Sequence, residues 1–188
     1  DDNDAGGCSA ATAVLETSVT ARGEESGIAT DLPIAAGAPT RRAATPEEAA
    51  AMTEFLRRAV TGHGDAWKDG ADVRVSRILL PSGPEVLAGS VEIAGESDDD
   101  PPSAAAFVIA ERAGGAYRPV ATWLPSRGVE MYDQPPRSRV LLDAADLDGD
   151  GSPELVTRTG FQEWSQYTIY HRGPRGWAVA WEASGGGC

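Results

Sequence analysis

Four carboxylates stand close together in one short stretch of the sequence. Asp146, Asp148, Asp150 and Glu154 occupy the first, third, fifth and ninth positions of this stretch. Left without a counter-charge, they repel one another. A hard cation that accepts about six to eight oxygen ligands removes this repulsion, and Ca²⁺ is the usual choice. We therefore predict a calcium site formed by these four carboxylates and the backbone carbonyl of Ser152.

Two glycines in the same stretch support this prediction. Gly149 and Gly151 permit the backbone angles that a tight loop needs in order to turn its oxygens inward. Pro153 fixes the exit of the chain, and the strand-forming residues Leu155 and Val156 follow. The alternative is a solvated acidic turn between two strands, without a bound ion.

The spacing differs from that of an EF-hand loop. Thr157 stands at the twelfth position, where an EF-hand carries a bidentate glutamate. The pattern D-x-D-G-D-G-x-x-E followed by Leu-Val resembles the FG-GAP/VCBS repeat, the calcium loop of integrin-type β-propeller blades. The resemblance implies that the loop joins two strands and that its acidic residues hold the ion. It covers about a dozen residues in a single copy, so it implies the local unit and not a whole propeller.

The composition limits the classes of partner. The chain has 188 residues and a net charge of −13, with Lys68 as its single lysine. This length suits one domain with a substantial core. Nucleic acid is excluded as a partner because phosphate binding needs a clustered basic face. No apolar run approaches the roughly 18 residues of a membrane span, so we expect no transmembrane segment.

The two cysteines lie near the two ends of the sequence. Cys8 and Cys188 are expected to form a disulfide, since the ends of a domain often lie close together. Together with a start at Asp1, this predicts a secreted, periplasmic or cell-surface protein whose signal peptide has been removed. Free thiols in a cytosolic chain are one alternative. A lipid anchor on Cys8, after Ala5-Gly6-Gly7, is another.

The first part of the chain predicts one helix after a long connection. Residues 1–44 are expected to be a mobile N-terminal segment and linker, with a possible first strand at Ala11–Val19. Thr45, Pro46 and Glu48 form a capping-box start. Apolar residues then recur at helical spacing, which predicts an amphipathic helix with one buried stripe. The stripe comprises Met52, Phe55, Leu56, Ala59 and Val60.

Residues 45–188 are predicted to form a single β-rich domain that contains the calcium loop. Strand-like segments separated by turn residues indicate about eight strands in a mostly antiparallel meander. They are Val73–Leu80, Val86–Ala94, Ala104–Arg112, Tyr117–Leu124, Arg139–Leu142, Leu155–Thr159, Ser165–His171 and Trp177–Glu182. The fold class is therefore mainly β (α+β). A curved sheet, an open barrel and two propeller-like blades remain open as arrangements.

Aromatic residues crowd the end of the chain and suggest a binding face. The alternation of Trp177, Val179 and Trp181 predicts that these three side chains share one face and belong to the core. Glu163 lies beside Trp164, and Trp164 has the opposite strand parity to Tyr167. We therefore expect Glu163 and an outward-facing Trp164 or Tyr167 to serve in recognition. His171, near a turn, is expected to be simply exposed.

These observations favour an exported, calcium-binding, non-catalytic β-rich domain that acts as a binding or interaction module for a protein or glycan ligand. The sequence carries no nucleophile motif and only two histidines, His63 and His171. One alternative is a secreted hydrolase that uses acidic residues. Another is an acidic inhibitor or immunity protein, whose charge would steer it onto a basic enzyme.

Overall fold

The computed structural model describes residues 39–81, 83–97, 102–125, 137–161 and 164–185. In these ranges the protein is mainly β, with nine strands and one helix. The elements are β1 (Thr40–Ala43), α1 (Pro46–Gly62), β2 (Asp72–Leu79), β3 (Val86–Ile93), β4 (Ala104–Ala113), β5 (Ala116–Trp123), β6 (Ser138–Ala145), β7 (Glu154–Gly160), β8 (Ser165–Gly173) and β9 (Gly176–Gly185).

Helix α1 begins as the capping residues predict. The Thr45 side chain accepts a hydrogen bond from the backbone N–H of Glu48, and the Glu48 carboxylate accepts one from the N–H of Thr45. Two of the unpaired donors at the start of the helix are thereby satisfied. The predicted stripe buries Met52, Leu56 and Val60 completely.

The strands form two antiparallel sheets with simple neighbour-to-neighbour order. Sheet one contains β1 to β5 and sheet two contains β6 to β9, each in the order of the sequence. All strand pairs are antiparallel, as a meander requires. The described strands form two sheets, and therefore neither a single curved sheet nor an open barrel, which were two of the arrangements left open by the sequence.

Sheet one is covered by apolar side chains on both of its faces. On one face, Leu87 and Val91 pack against Met52 and Leu56 of α1. Gly89 lies between them on the same face, where an added Cβ would come within 2.3 Å of the Met52 Cγ. Glycine is therefore what lets the helix approach the sheet this closely.

The other face of sheet one packs against sheet two. Val86, Ala88 and Phe107 of sheet one contact a cluster that includes Leu155 and Tyr170 of sheet two. The order of layers is therefore helix, sheet one, sheet two. The alternation of side chains along β3 explains how one strand serves two cores. Sheet two, in contrast, has only one face packed against another described layer.

Two expectations about the chain before α1 have different outcomes. The connection predicted to run through Ala44 contains strand β1, which pairs with β2 from Thr40 opposite Leu79 to Ala43 opposite Ser76. These four residues are therefore a strand and not part of a connection. The sequence did not indicate this strand because the exposed, charged segment Thr40–Ala43 carries no alternating apolar pattern. The possible strand at Ala11–Val19 lies outside the described residues. No helix in the described ranges is long and apolar enough to cross a membrane.

Candidate functional site: an acidic loop and an adjoining groove

The acidic loop is the connection between β6 and β7. The ladder between these strands closes at Ala145 opposite Glu154, so residues 146–153 form the loop itself. Gly149 and Gly151 have φ values of 78° and 84°. These angles lie in the left-handed region that favours glycine, as the sequence predicts. Pro153 and Glu154 are both buried where the loop enters β7.

The aspartates curl the loop by accepting hydrogen bonds from its backbone. The two carboxylate oxygens of Asp146 accept from the N–H groups of Gly149 and Gly151, at 2.9 and 3.0 Å. The Oδ1 atoms of Asp148 and Asp150 each accept from the N–H two residues further on. Each oxygen keeps a second lone pair, and the Oδ2 atoms of Asp148 and Asp150 accept no hydrogen bond from a described residue.

The three aspartates converge on one point. Asp146, Asp148 and Asp150 each offer a carboxylate oxygen, and these oxygens lie within 4.8 Å of one another. At such separations each pair of charges repels by roughly 1 kcal/mol in water and more where solvent is excluded. Within the described ranges none of the three forms an ion pair with a lysine or an arginine. Several converging hard oxygen donors that no lysine or arginine neutralises fit a bound Ca²⁺.

Glu154 holds a different position from the three aspartates. Its side chain is almost fully buried, and its Oε2 accepts a hydrogen bond from the N–H of Leu147 at 2.8 Å. Its Oε1 lies 2.8 Å from the Nδ1 of His171 on β8. Glu154, His171 and Asp148 form a second group whose ligand atoms lie within 4.8 Å of one another. Asp148 therefore belongs to both groups and connects them.

The contact with His171 corrects the expectation that this residue is simply exposed. The hydrogen bond to Glu154 raises the pKa of the His171 imidazole, and the charges of Asp150 and Asp148 act in the same direction. The sequence missed this contact because it depends on the register between β7 and β8, which places Leu155 opposite Tyr170. The turn between these strands carries no residue pattern that fixes that register.

The other predicted site residues are placed differently. Trp164 precedes β8 and stacks on Phe161, with ring centroids 3.8 Å apart. Tyr167 is half-buried within β8. The structure does not bring either residue to the acidic loop. The remaining predictions, Glu163 as a recognition residue and the disulfide between Cys8 and Cys188, concern residues outside the described ranges.

A groove of about 550 Å³ lies between β5 and sheet two and is lined by residues of all four strands of that sheet. This size suits a small ligand or a short stretch of peptide. Its walls combine aromatic rings and aliphatic side chains, with one arginine and one glutamate. The lining residues are Val120, Ala121, Thr122, Trp123, Arg139, Thr159, Phe161, Gln166, Tyr170, Trp177, Ala178, Val179 and Glu182. Trp164 and Tyr167 are not among them.

Arg139 lines this groove and is only 3% exposed. Its guanidinium donates hydrogen bonds to the hydroxyls of Thr159 and Tyr170. It also lies 4.5 Å from the centroid of the Trp123 ring, which is a cation–π contact. Its closest carboxylate is that of Glu182, at 3.6 Å from Nη2, which is beyond hydrogen-bonding distance. Nη2 thus donates no hydrogen bond to a described residue.

The prediction that Trp177, Val179 and Trp181 share one face is wrong. The ladder between β8 and β9 shifts register, because Ile169 pairs with Trp181 whereas the next residue, Tyr170, pairs with Val179. The extra residue between them reverses the alternation of side chains. Trp177 is buried and Val179 lines the groove, whereas Trp181 is half-exposed and does not line it. The alternating sequence pattern of this strand does not indicate such a bulge.

Comparisons of the chain with protein-family models, curated proteins and solved structures gave no match. The resemblance of the acidic loop to the FG-GAP/VCBS repeat therefore stays a prediction.

Proposed function

We propose that this protein is a calcium-binding, non-catalytic β-domain that serves as an interaction module, and that the calcium ion has a structural role. The observation that carries the proposal is the convergence of three aspartates that form no ion pair with a lysine or an arginine among the described residues. Asp146, Asp148 and Asp150 would supply carboxylate oxygens, and Ser152 would supply a carbonyl. Glu154 would also supply a carboxylate oxygen, since its ligand atom lies within 4.8 Å of that of Asp148.

The loop is positioned for the ion to act on the fold. β6 and β7 enter and leave the loop, and Glu154 reaches β8 through His171. A Ca²⁺ held here would cancel about half of the formal charge of the four carboxylates. Because the unfolded chain cannot hold these oxygens together, the ion would bind the native state preferentially and stabilise it.

The same observations favour a structural ion over a catalytic one. The aspartates are linked to the backbone of their own loop, and the groove between β5 and sheet two does not include any of them. A substrate in the groove would therefore not contact the ion. Export would bring the protein into a calcium-rich compartment, where the loop would be filled.

The experiment is a calorimetric titration of the protein with Ca²⁺ and, separately, with Mg²⁺. We expect one Ca²⁺ site, and weaker binding of Mg²⁺ because the smaller ion demands a tighter octahedron. Asp148→Asn keeps the size of the side chain but removes one charge shared by both groups, and should weaken Ca²⁺ binding at least about tenfold.

Asp143→Asn is the matched control for this titration. Asp143 lies on β6, three residues before the loop, and belongs to neither carboxylate group. It accepts a hydrogen bond from the N–H of Ala144, which asparagine can also accept. This variant should bind Ca²⁺ as the wild type does. Absence of Ca²⁺ binding by the wild type, or equal losses in both variants, would show that the acidic loop is a solvated turn.

A further inference from the structure

One wall of the groove is a row of polar side chains on the inner face of sheet two. Arg139 on β6 pairs with Thr159 on β7, which in turn pairs with Gln166 on β8. Residues directly opposite each other in neighbouring strands project on the same face of a sheet. Leu155 and Tyr170 lie on that face as well, because they stand an even number of residues from Thr159 and Gln166 and also form a pair. Since both pack against sheet one, the polar row is turned towards sheet one, next to the apolar cluster.

Polar side chains are unusual in this position. The space between two packed sheets is normally filled by apolar side chains. Arg139 and Thr159 are nevertheless only 3% and 1% exposed. The buried guanidinium is held by two hydroxyls, by the Trp123 ring and by the Glu182 carboxylate at 3.6 Å, but its Nη2 donates no hydrogen bond to a described residue. A buried charged group with an unused donor in a cavity is typical of a site that contacts a ligand.

The groove offers hydrogen-bond donors and acceptors side by side. Nη2 of Arg139 can donate, and Glu182 can accept through Oε1, because its Oε2 already accepts from a hydroxyl of β8. The hydroxyls of Thr159 and Tyr170 accept from Arg139, so each keeps its own proton to donate. The side-chain amide of Gln166 can donate and accept. A ligand that satisfies this set must carry several groups that donate and accept close to one another.

The charges of the groove favour a neutral ligand. Arg139 and Glu182 are the charged members of the described lining, and their charges are opposite. An anionic group drawn to Arg139 would approach the Glu182 carboxylate, and a cationic group drawn to Glu182 would approach the guanidinium. A wholly apolar ligand would remove water from both groups without replacing its hydrogen bonds, which costs free energy. A neutral ligand rich in hydroxyls avoids all three costs.

Aromatic side chains complete the match to such a ligand. Trp123, Phe161, Tyr170 and Trp177 line the same groove as the polar row. A sugar ring has C–H groups that pack against aromatic side chains, and its hydroxyls each donate and accept hydrogen bonds. A peptide backbone divides these roles between its N–H and C=O groups and pairs best with the edge of a strand. The polar groups of this groove are instead side chains that lie across several strands.

We propose that this groove binds a short neutral saccharide. Two adjacent hydroxyls of the sugar bond to Arg139 and Glu182, one accepting from Nη2 and the other donating to the carboxylate. The sugar rings pack against the aromatic side chains of the lining. This names the ligand class for the proposed role as an interaction module, and it rests on that role but not on calcium.

The first measurement is saturation-transfer NMR of the full chain with five neutral disaccharides, namely maltose, cellobiose, lactose, mannobiose and chitobiose. At least one of them should receive saturation from the protein, and calorimetry then gives its Kd. Digalacturonate is the anionic probe, and the peptide acetyl-Thr-Val-Thr-Val-Thr-amide is the peptide probe. Neither should bind, because the first carries charges that Glu182 repels and the second lacks adjacent hydroxyls on a ring.

Glu182→Gln keeps the size of the side chain but removes the charged acceptor, and should weaken disaccharide binding at least about tenfold. Glu54→Gln is the matched control, because the side chains of Glu182 and Glu54 are 40% and 41% exposed but Glu54 lies on α1, outside the groove. This control should bind as the wild type does. Gln166→Leu is a second groove variant that leaves the Arg139–Glu182 pair intact, and it should also weaken binding. Thermal unfolding shows that each variant is folded.

Three results would overturn the proposal. One is the absence of saturation in all five disaccharides. Another is equal affinity of Glu182→Gln, Gln166→Leu and the Glu54→Gln control for the bound disaccharide. The third is binding of digalacturonate or of the peptide in place of the neutral disaccharides, which would assign the groove to an anion or to a protein segment. Failure of the disaccharides to bind, with calcium binding intact, would overturn this inference alone. Failure of calcium binding, with disaccharide binding intact, would overturn only the calcium site.

Discussion

The molecule contains two clusters of acidic residues, and they differ in what neutralises them. Near the start of α1, Glu48 and Glu85 lie close to the guanidinium groups of Arg77 and Arg112. Between β6 and β7, Asp146, Asp148 and Asp150 converge without an arginine or a lysine among the described residues. The first cluster is neutralised by the fold, and the second is left for an external cation. This difference is the basis of the proposed calcium site.

The neutralised cluster behaves as a structural network. Glu85 is bonded to both Arg112 and Arg77, and these contacts lower the pKa of its carboxyl. The Tyr117 hydroxyl donates to Glu48 at 2.9 Å. Burial, together with this hydrogen bond to Glu48, raises the pKa of Tyr117 to about 12. The network connects α1 to β2, β4 and β5 and to Glu85, the residue before β3. Every charge in it has an opposite charge beside it.

The largest effect should come from removing the internal cation of the first cluster. Arg77→Met keeps most of the apolar length of the side chain but leaves Glu48 and Glu85 without a shared partner. Because two charge-assisted contacts are lost and Glu48 keeps no arginine beside it, we expect the free energy of unfolding to fall. Urea denaturation measures this fall. Added Ca²⁺ should not restore the loss, and a full restoration would mean that the two clusters are not independent.

A smaller effect should appear as a pH dependence of the same cluster. The folded-state pKa of Glu85 lies below its ordinary value of 4.5, with the hydrogen bond from Arg112 as the largest cause. Its stabilisation is therefore complete above the unfolded-state pKa and is lost as the pH falls through the folded-state pKa.

Glu85→Gln provides the measurement for this pH dependence. The difference in unfolding free energy between the wild type and this variant should be constant near neutral pH and should shrink below about pH 4.5. Urea denaturation between pH 3 and pH 7, at roughly one-unit steps, measures it. A difference that grows as the pH falls would contradict the ion-pair assignment.

Local sequence patterns predicted the elements of the fold well. Thr45, Pro46 and Glu48 specify the start of α1 through hydrogen bonds within four residues of one another, so no long-range information is needed. The strand-like segments and the turn residues that separate them likewise act locally. The charged strand β1 was missed because its pairing with β2 depends on tertiary contacts rather than on its own pattern.

The same distinction between local patterns and long-range contacts applies to the candidate sites. The acidic loop was predicted because its oxygens and glycines all lie within nine residues of the sequence. His171 and Arg139 were not assigned to sites because their partners arrive through strand register and sheet packing. Arg139 lies 20 residues from Thr159 and 31 residues from Tyr170, its two hydrogen-bond partners. The division into two sheets, which creates the groove, also depends on such long-range packing.

The comparison between the two clusters is tested most directly by hydrogen exchange and thermal unfolding of the wild type in Ca²⁺ and in excess chelator. With Ca²⁺ we expect a higher melting temperature and slower amide exchange in β6, β7 and β8, around the loop. Amides next to Glu48 in α1 and next to Glu85 before β3 should exchange more nearly alike in both conditions. If chelation changes neither the melting temperature nor the exchange around Asp146–Glu154, the loop holds no ion and the proposed function is wrong.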